Sequence, residues 1–351
     1  MTMTDSGTRV ELKRKDRDRV DDMIPGLDMD GAVEVDLPFE WSTAFAEKVR
    51  KESPSSIVNF LSCPLKWYIE RHAPIPGDDE VSVFAFAGTV AHRMLEVFYS
   101  EPAKFRTHKM LGEIRELVWD AIETANLDDG IVDREIVETY AKLMEQAPTN
   151  SRYPTTEARQ QRKLHELVDK AMDNLYDIED PKGVELISNE GWLRMMSNGI
   201  RVNGRFDRAQ QGPGGTELDD WKTGKAPDLD PDETPDILNP VFIPAGMYAA
   251  MYLQMNADEL LPPKVDHVKL IYLAHRKVFT IPINDRRVAM IERLVDKVTS
   301  LMNRMAKEGT LIATPASRKD RGQCGYCPLV DICPAWTDNK DLEAAREKWG
   351  V

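Results

Sequence analysis

The chain has 351 residues, 42% hydrophobic and 30% charged, enough for a sizeable core and about two domains of ordinary soluble composition. No apolar run nears the roughly 18 residues of a membrane span, and MTMTDSGTRVELKRKDRDRV lacks a signal-peptide core, so a cytoplasmic protein without a membrane partner is expected. The net charge of −14 argues weakly against nucleic acid, but residues 1–40 and the loop Asp228–Asp236 hold much of the acid.

Residues 1–36 are polar, charge-mixed and without periodicity, and read as a disordered tail. SPSSIVNFLSCPLKWYIERH then reads as a helix that Ser53 or Ser55 can cap, with Pro64 arguing for a break beside Cys63. FAGTVAHRMLEVFY is a second helix, apolar at Val90, Met94, Val97 and Phe98, and completes an N-terminal helical segment over 37–107. LGEIRELVWDAI, REIVETYAKLM and QRKLHELVDKAMDNL repeat apolar residues every three or four positions, which makes 108–180 a helical insertion. From 181 to 310 the pattern is that of a core sheet with helices. VELIS, GWLRMM and IRVNGRFDR read as strands, QQGPGG as a turn and TELDDWK as the next strand. PAGMYAAMYLQM is an apolar helix, HVKLIYLAHRKVFTIPI holds two strand runs, and NDRRVAMIERLVDKVTSLMNRMAKEG is an amphipathic helix that Gly309 stops. Residues 311–351 form a cysteine loop and tail. The fold class expected is α/β, a core sheet flanked by helices.

NGRFDRAQQGPGGTELDDWKTGK puts Asp207 at the end of one strand and Asp220, Trp221 and Lys222 at the end of the next. On antiparallel neighbours the two aspartates can converge, and alternation turns Asp220 and Lys222 to one face. Two carboxylates suit a hard cation such as Mg²⁺ or Mn²⁺, and the ammonium can orient a water or offset developing charge. The rival is a pair of turn aspartates beside a surface lysine. The preceding Gly-x-x-Asp and the following Thr-Gly favour chemistry.

Three of the four cysteines lie in CGYCPLVDIC, and the other is Cys63. A reducing compartment disfavours disulfides. The spacing of Cys324, Cys327 and Cys333 supplies three thiolates from one loop, and a tetrahedral set takes Cys63 as the remaining one. An iron–sulfur cluster and a structural zinc ion both suit such a set, unliganded thiols are the remaining alternative, and a 1+3 split is unusual for zinc.

GRFD followed by DDWKTGK resembles the core of the PD-(D/E)XK nuclease superfamily, specifically its RecB-like branch. AGTVAHRMLE is similar to that branch's upstream helix, which implies His92 as a metal ligand. FLSCPLKWY and CGYCPLVDIC resemble the opening and closing cysteine segments of its iron–sulfur members, such as the AddB nuclease domain and the CRISPR-adaptation nucleases. The resemblance implies a restriction-endonuclease-like fold, with a [4Fe-4S] staple on Cys63, Cys324, Cys327 and Cys333. It also implies metal ligation by His92, Asp207, Asp220 and the Trp221 carbonyl. An acidic residue before the aspartate strand is Glu190 or Glu185, and Glu96 is a helical neighbour of His92. PAGMY puts Tyr248 in the branch's tyrosine place while Pro244 takes the glutamine place, so Tyr248 is a site residue or a core tyrosine. The activity implied is a metal-dependent exonuclease on DNA ends or single strands, in recombination, repair or replication. The alternative is a catalytically silent iron–sulfur accessory protein on DNA. No G-x-x-x-x-G-K-[ST] motor motif occurs, so a helicase or recombinase partner is expected, and a homo-oligomer is open.

Overall fold

Helix α1 (Arg14–Asp21) has a single buried aliphatic side chain, Val20, and is held mainly by charge. Asp16, 1% exposed, receives Arg286 through Nε at 2.7 Å and Nη2 at 2.5 Å, and Asp21 receives Arg293. Strand β1 (Val33–Asp36) follows and places Val33 opposite Ala313 near the other end of the chain. The expected disordered tail over 1–36 is therefore corrected: 14–21 and 33–36 are ordered by partners about 270 residues away, which local periodicity cannot reveal. The computed structural model describes residues 10–26, 29, 32–36, 50–72, 81–146, 149–150, 153–154, 157–258, 263–314, 324, 327 and 333.

The short strand β2 (Lys51–Glu52) leads to α2 (Pro54–Ser62), whose first turn is capped by Ser53 accepting from the Ser56 amide at 3.2 Å. Cys63 is extended, and α3 (Pro64–His72) restarts at the proline, so the chain breaks where the sequence indicates. Then come α4 (Val83–Ser100), α5 (His108–Glu123) and α6 (Arg134–Glu145). A two-residue ladder of β3 (Thr149–Asn150) and β4 (Tyr153–Pro154) precedes α7 (Glu157–Asp173) and α8 (Leu175–Ile178). Phe86, Met94, Phe98, Val118, Leu164 and Val168 of these helices share one buried cluster with Trp221 and Ile271 of the sheet. The helical block thus sits on the sheet.

Next in order are β5 (Leu186–Ser197), β6 (Ile200–Gln211), β7 (Thr216–Lys222), α9 (Ile243–Met255), β8 (Val265–Tyr272), β9 (Lys277–Pro282), α10 (Asp285–Glu308) and β10 (Thr310–Ala313). The central mixed sheet pairs β6 antiparallel with β5 and β7 and parallel with β2; β7 runs parallel to β8, and β8 antiparallel to β9. Leu270 and Ile271, adjacent on β8, belong to different buried clusters, so helices cover both faces. The second cluster joins Phe60, Val202, Phe206, Met251, Ile291 and Val298 from α2, the sheet, α9 and α10. VELIS and GWLRMM, expected as two strands, merge into β5 because β6 is long enough to pair with both. Gly309 ends α10 at φ 71°, a conformation that favours glycine. Among the described residues no helix is long and apolar enough to cross a membrane.

Candidate active site

Register brings the acids together. Arg208 faces Asp219, so the next step along the same antiparallel pair sets Asp207 against Asp220. On the other neighbour, Asn189 faces Arg208 and Gly191 faces Phe206, which sets Glu190 against Asp207. Three acids therefore form a row across β5, β6 and β7. Asp207 lies inside β6, which continues to Gln211, rather than at a strand end as expected. Glu190 has φ 50°, a left-handed conformation in mid-strand, and the kink accompanies its turn toward Asp207. Glu185, the other option for this acid, lies ahead of β5, where its carbonyl accepts from Gln211.

Helix α4 supplies the histidine. A Cβ on Gly88 would lie 3.0 Å from Thr223 Oγ1, so the helix approaches the end of β7 where a side chain would crowd it. One turn on, His92 Nδ1 meets Asp207 Oδ1 at 3.0 Å, and Asp207 Oδ2 accepts the Trp221 backbone N–H at 2.6 Å. Ligand atoms of His92, Glu190 and Asp207 all lie within 4.8 Å of one another, the spacing of a group that could hold a metal ion. On β7, Lys222 Nζ stands 2.5 Å from Asp220 Oδ2, with the lysine side chain 40% exposed. A cleft of about 620 Å³ opens beside this group, lined by His92, Glu96, Glu190, Arg205 and the start of α6.

The charges are matched in pairs but acid-rich. Burial lowers the His92 pKa, yet Asp207 outweighs it and the imidazole titrates above its ordinary value. Burial raises Asp220, opposed by the Lys222 ammonium. Burial lowers Lys222, and Asp220 more than restores it, so the lysine stays charged. Glu190 is raised by burial even though Arg205 contacts it at 2.5 Å. Tyr248 is pushed well above the usual phenol range by burial, then by Asp220 and Asp207, which places it beside the site as a protonated donor. Three carboxylates and an imidazole against two cations make a donor set that fits a hard divalent ion.

A nuclease core of strand, turn, strand and flanking histidine helix agrees with the comparison of families: the PD-(D/E)XK nuclease superfamily model matches residues 51–334. The chain belongs to that superfamily. Compared with curated proteins, it finds no match. Membership in the PD-(D/E)XK superfamily, with an acidic group that could hold a metal ion, points to a metal-dependent nuclease that hydrolyses phosphodiesters.

Sequence reasoning missed the layer beneath this nuclease site. Asp219, next to Asp220 and so on the opposite face, is fully buried and accepts Arg208 Nε at 2.7 Å. Arg208 also grips both oxygens of Glu179, each at 2.7 Å, while its guanidinium covers the Tyr99 ring at 4.4 Å. Tyr99 stacks on Trp221 at 5.5 Å, and so fixes the residue whose N–H holds Asp207. Tyr272, opposite Lys222 on β8, was also missed; burial raises its pKa while Lys222 opposes the shift. The doubled acid in TELDDWK was the available signal for the Arg208 layer. Glu96, read as a helical neighbour, pairs with Arg93 at 2.5 Å on the cleft wall. Pro244 occupies the first turn of α9, where its missing N–H costs nothing.

The thiols are free of disulfides. Cys63 is buried between α2 and α3, and Thr314 Oγ1 donates to the Ser62 carbonyl at 2.7 Å, so the chain leaves β10 beside it. Cys327 and Cys333 pack against the core that contains Cys63. Among the described residues the thiols are not gathered within single-ion reach of one another. The remaining residues of the expected loop lie mostly outside the described residues.

Proposed function

We propose that the chain is a Mg²⁺- or Mn²⁺-dependent deoxyribonuclease of the RecB-like type, acting on DNA ends or single strands. The observation that carries the reading is the convergence of His92, Glu190 and Asp207 from α4, β5 and β6, with Asp220 opposite Asp207 and Lys222 beside Asp220. His92, Glu190, Asp207, Asp220 and the Trp221 carbonyl would hold the ion. When bound, the ion acidifies a water and neutralises charge on the phosphate. Asp207 is kept oriented by the Trp221 N–H, and Asp220 is paired with Lys222. Lys222, charged and partly exposed, directs the attacking water and offsets negative charge as it develops. Tyr248 stays protonated and can donate to a phosphate oxygen.

Asp207→Ala, Asp220→Ala and Lys222→Ala should each reduce cleavage of labelled single-stranded DNA by at least about 10²-fold, with melting temperatures and any cluster colour retained. Full activity in any of the three overturns the assignment.

The finer cofactor reading is a [4Fe-4S] cluster on Cys63, Cys324, Cys327 and Cys333, supported by the spacing of the four cysteines and by the shared core of Cys63, Cys327 and Cys333. It would staple the chain ends that β1 and β10 already pair. Iron and sulfide near four atoms each per chain, measured after anaerobic purification, support it. Stoichiometric zinc without sulfide overturns it. A helicase or recombinase as partner, and assembly into a homo-oligomer, belong to the same proposal.

A further inference from the structure

The antiparallel ribbon of β5 and β6 runs past the metal site, and one face of it is left without a covering helix. Leu193 and Met195 are buried, while the alternate residues Trp192, Arg194 and Met196 are exposed, Trp192 to 70% and Met196 to 59%. Across the ladder Trp192 faces Arg205, Arg194 faces Asn203 and Met196 faces Arg201. This face begins at Glu190 and Asp207 and extends six residues, about 20 Å at strand rise.

In a chain of net charge −14, Arg194 and Arg201 have no acidic partner among the described residues. Arg201 Nε is buried with no hydrogen-bond partner. The Arg205 guanidinium lies 5.6 Å from the Trp192 ring centre and reaches Glu190 with its other end, so the exposed indole is tied to the metal group. Unpaired arginines in a row suit successive phosphates, and an exposed indole backed by a guanidinium suits an unstacked base. A duplex hides the faces of its bases, which leaves the indole nothing to stack on.

We propose that this ribbon face is a track for single-stranded DNA, in which Arg194 and Arg201 neutralise phosphates and Trp192 stacks the base nearest the metal group. The track rests on the nuclease reading of the site and adds the path by which a strand enters it. Arg205 is a positioning residue that holds Trp192 and Glu190 at their shared end.

The test is fluorescence anisotropy of labelled oligo(dT) with the full chain in EDTA, where no strand is consumed. Trp192→Ala and the double variant Arg194→Glu/Arg201→Glu should each weaken binding about tenfold, while Trp192→Phe retains most of it. The double variant should also flatten the slope of log affinity against log salt by about 1.4. Unchanged affinity and slope in the double variant overturn the proposal, as does equal binding of a blunt duplex with equal losses. Mg²⁺-dependent hydrolysis of bis(p-nitrophenyl) phosphate, too small to reach Arg194, separates the two readings. Hydrolysis that survives in Trp192→Ala and in the double variant, while the oligo(dT) binding of these two falls as expected, supports the track. A wild-type chain that binds through the ribbon yet cleaves neither this diester nor labelled single-stranded DNA with Mg²⁺ or Mn²⁺ supports the track and sinks the nuclease reading.

Discussion

His92 is pulled two ways: burial favours the neutral imidazole, and Asp207 at 3.0 Å favours the cation and prevails. A metal takes only the neutral ring, so the proton His92 shares with Asp207 competes with the ion. Because the pKa lies above 6.5, Mn²⁺ affinity measured by calorimetry should still be rising with pH past 6.5, with proton release on binding. His92→Gln should weaken binding and flatten that dependence between roughly pH 6 and 8. A wild-type affinity independent of pH in this window would remove His92 from the ligand set. Asp207, Asp220 and Lys222 were legible as candidates because strand, turn and strand are contiguous there. Glu190 against Glu185 stayed open, since the choice depends on one left-handed residue in β5, and no spacing encodes a single φ.

Ribbon geometry argues at the next scale. Gly191 stands opposite Phe206, and a Cβ there would fall 2.0 Å from the Phe206 ring, so the aromatic lies directly over the glycine. Gly191→Ala must displace Phe206 from the buried cluster beneath α9, and should cost about 1–3 kcal/mol in urea unfolding. Gly112 is the control: it lies within α5 with nothing near its Cβ position, so Gly112→Ala should stabilise by about 0.5–1 kcal/mol. Equal effects at the two positions would refute the packing account. Helix limits were readable at this scale wherever a cap or breaker is local, as at Ser53, Pro64 and Gly309. The union of VELIS and GWLRMM was not, because a strand's length is set by the neighbour it pairs with.

Across the whole molecule, the ion-paired ends and the buried Arg208 layer do what no segment shows alone. Asp16 and Arg286, 270 residues apart, turn a polar stretch into an ordered helix. Arg208 joins the helical block to the sheet, with partly buried Glu179 on one side and fully buried Asp219 on the other, under the site. Burial raises both carboxylates; the two parallel bonds from Arg208 hold Glu179 below its ordinary value, whereas Asp219, whose Oδ1 has no partner, stays raised. Arg208→Met would leave two acids buried without a cation and should cost about 3–5 kcal/mol near neutral pH. Their folded pKa values would then lie above the unfolded ones. The loss must shrink at low pH, where both are protonated in either state, and grow as pH rises toward the raised folded values. Denaturation at roughly pH 5 and pH 8 measures this, and a larger loss at the acidic end would contradict it. Adding Asp219→Asn to Arg208→Met removes one of the stranded charges and should recover part of the stability at pH 8. Since Trp221 is braced by Tyr99 and its N–H holds Asp207, the same single variant should depress metal affinity even where the chain remains folded, whereas a layer that only supports stability would leave that affinity unchanged.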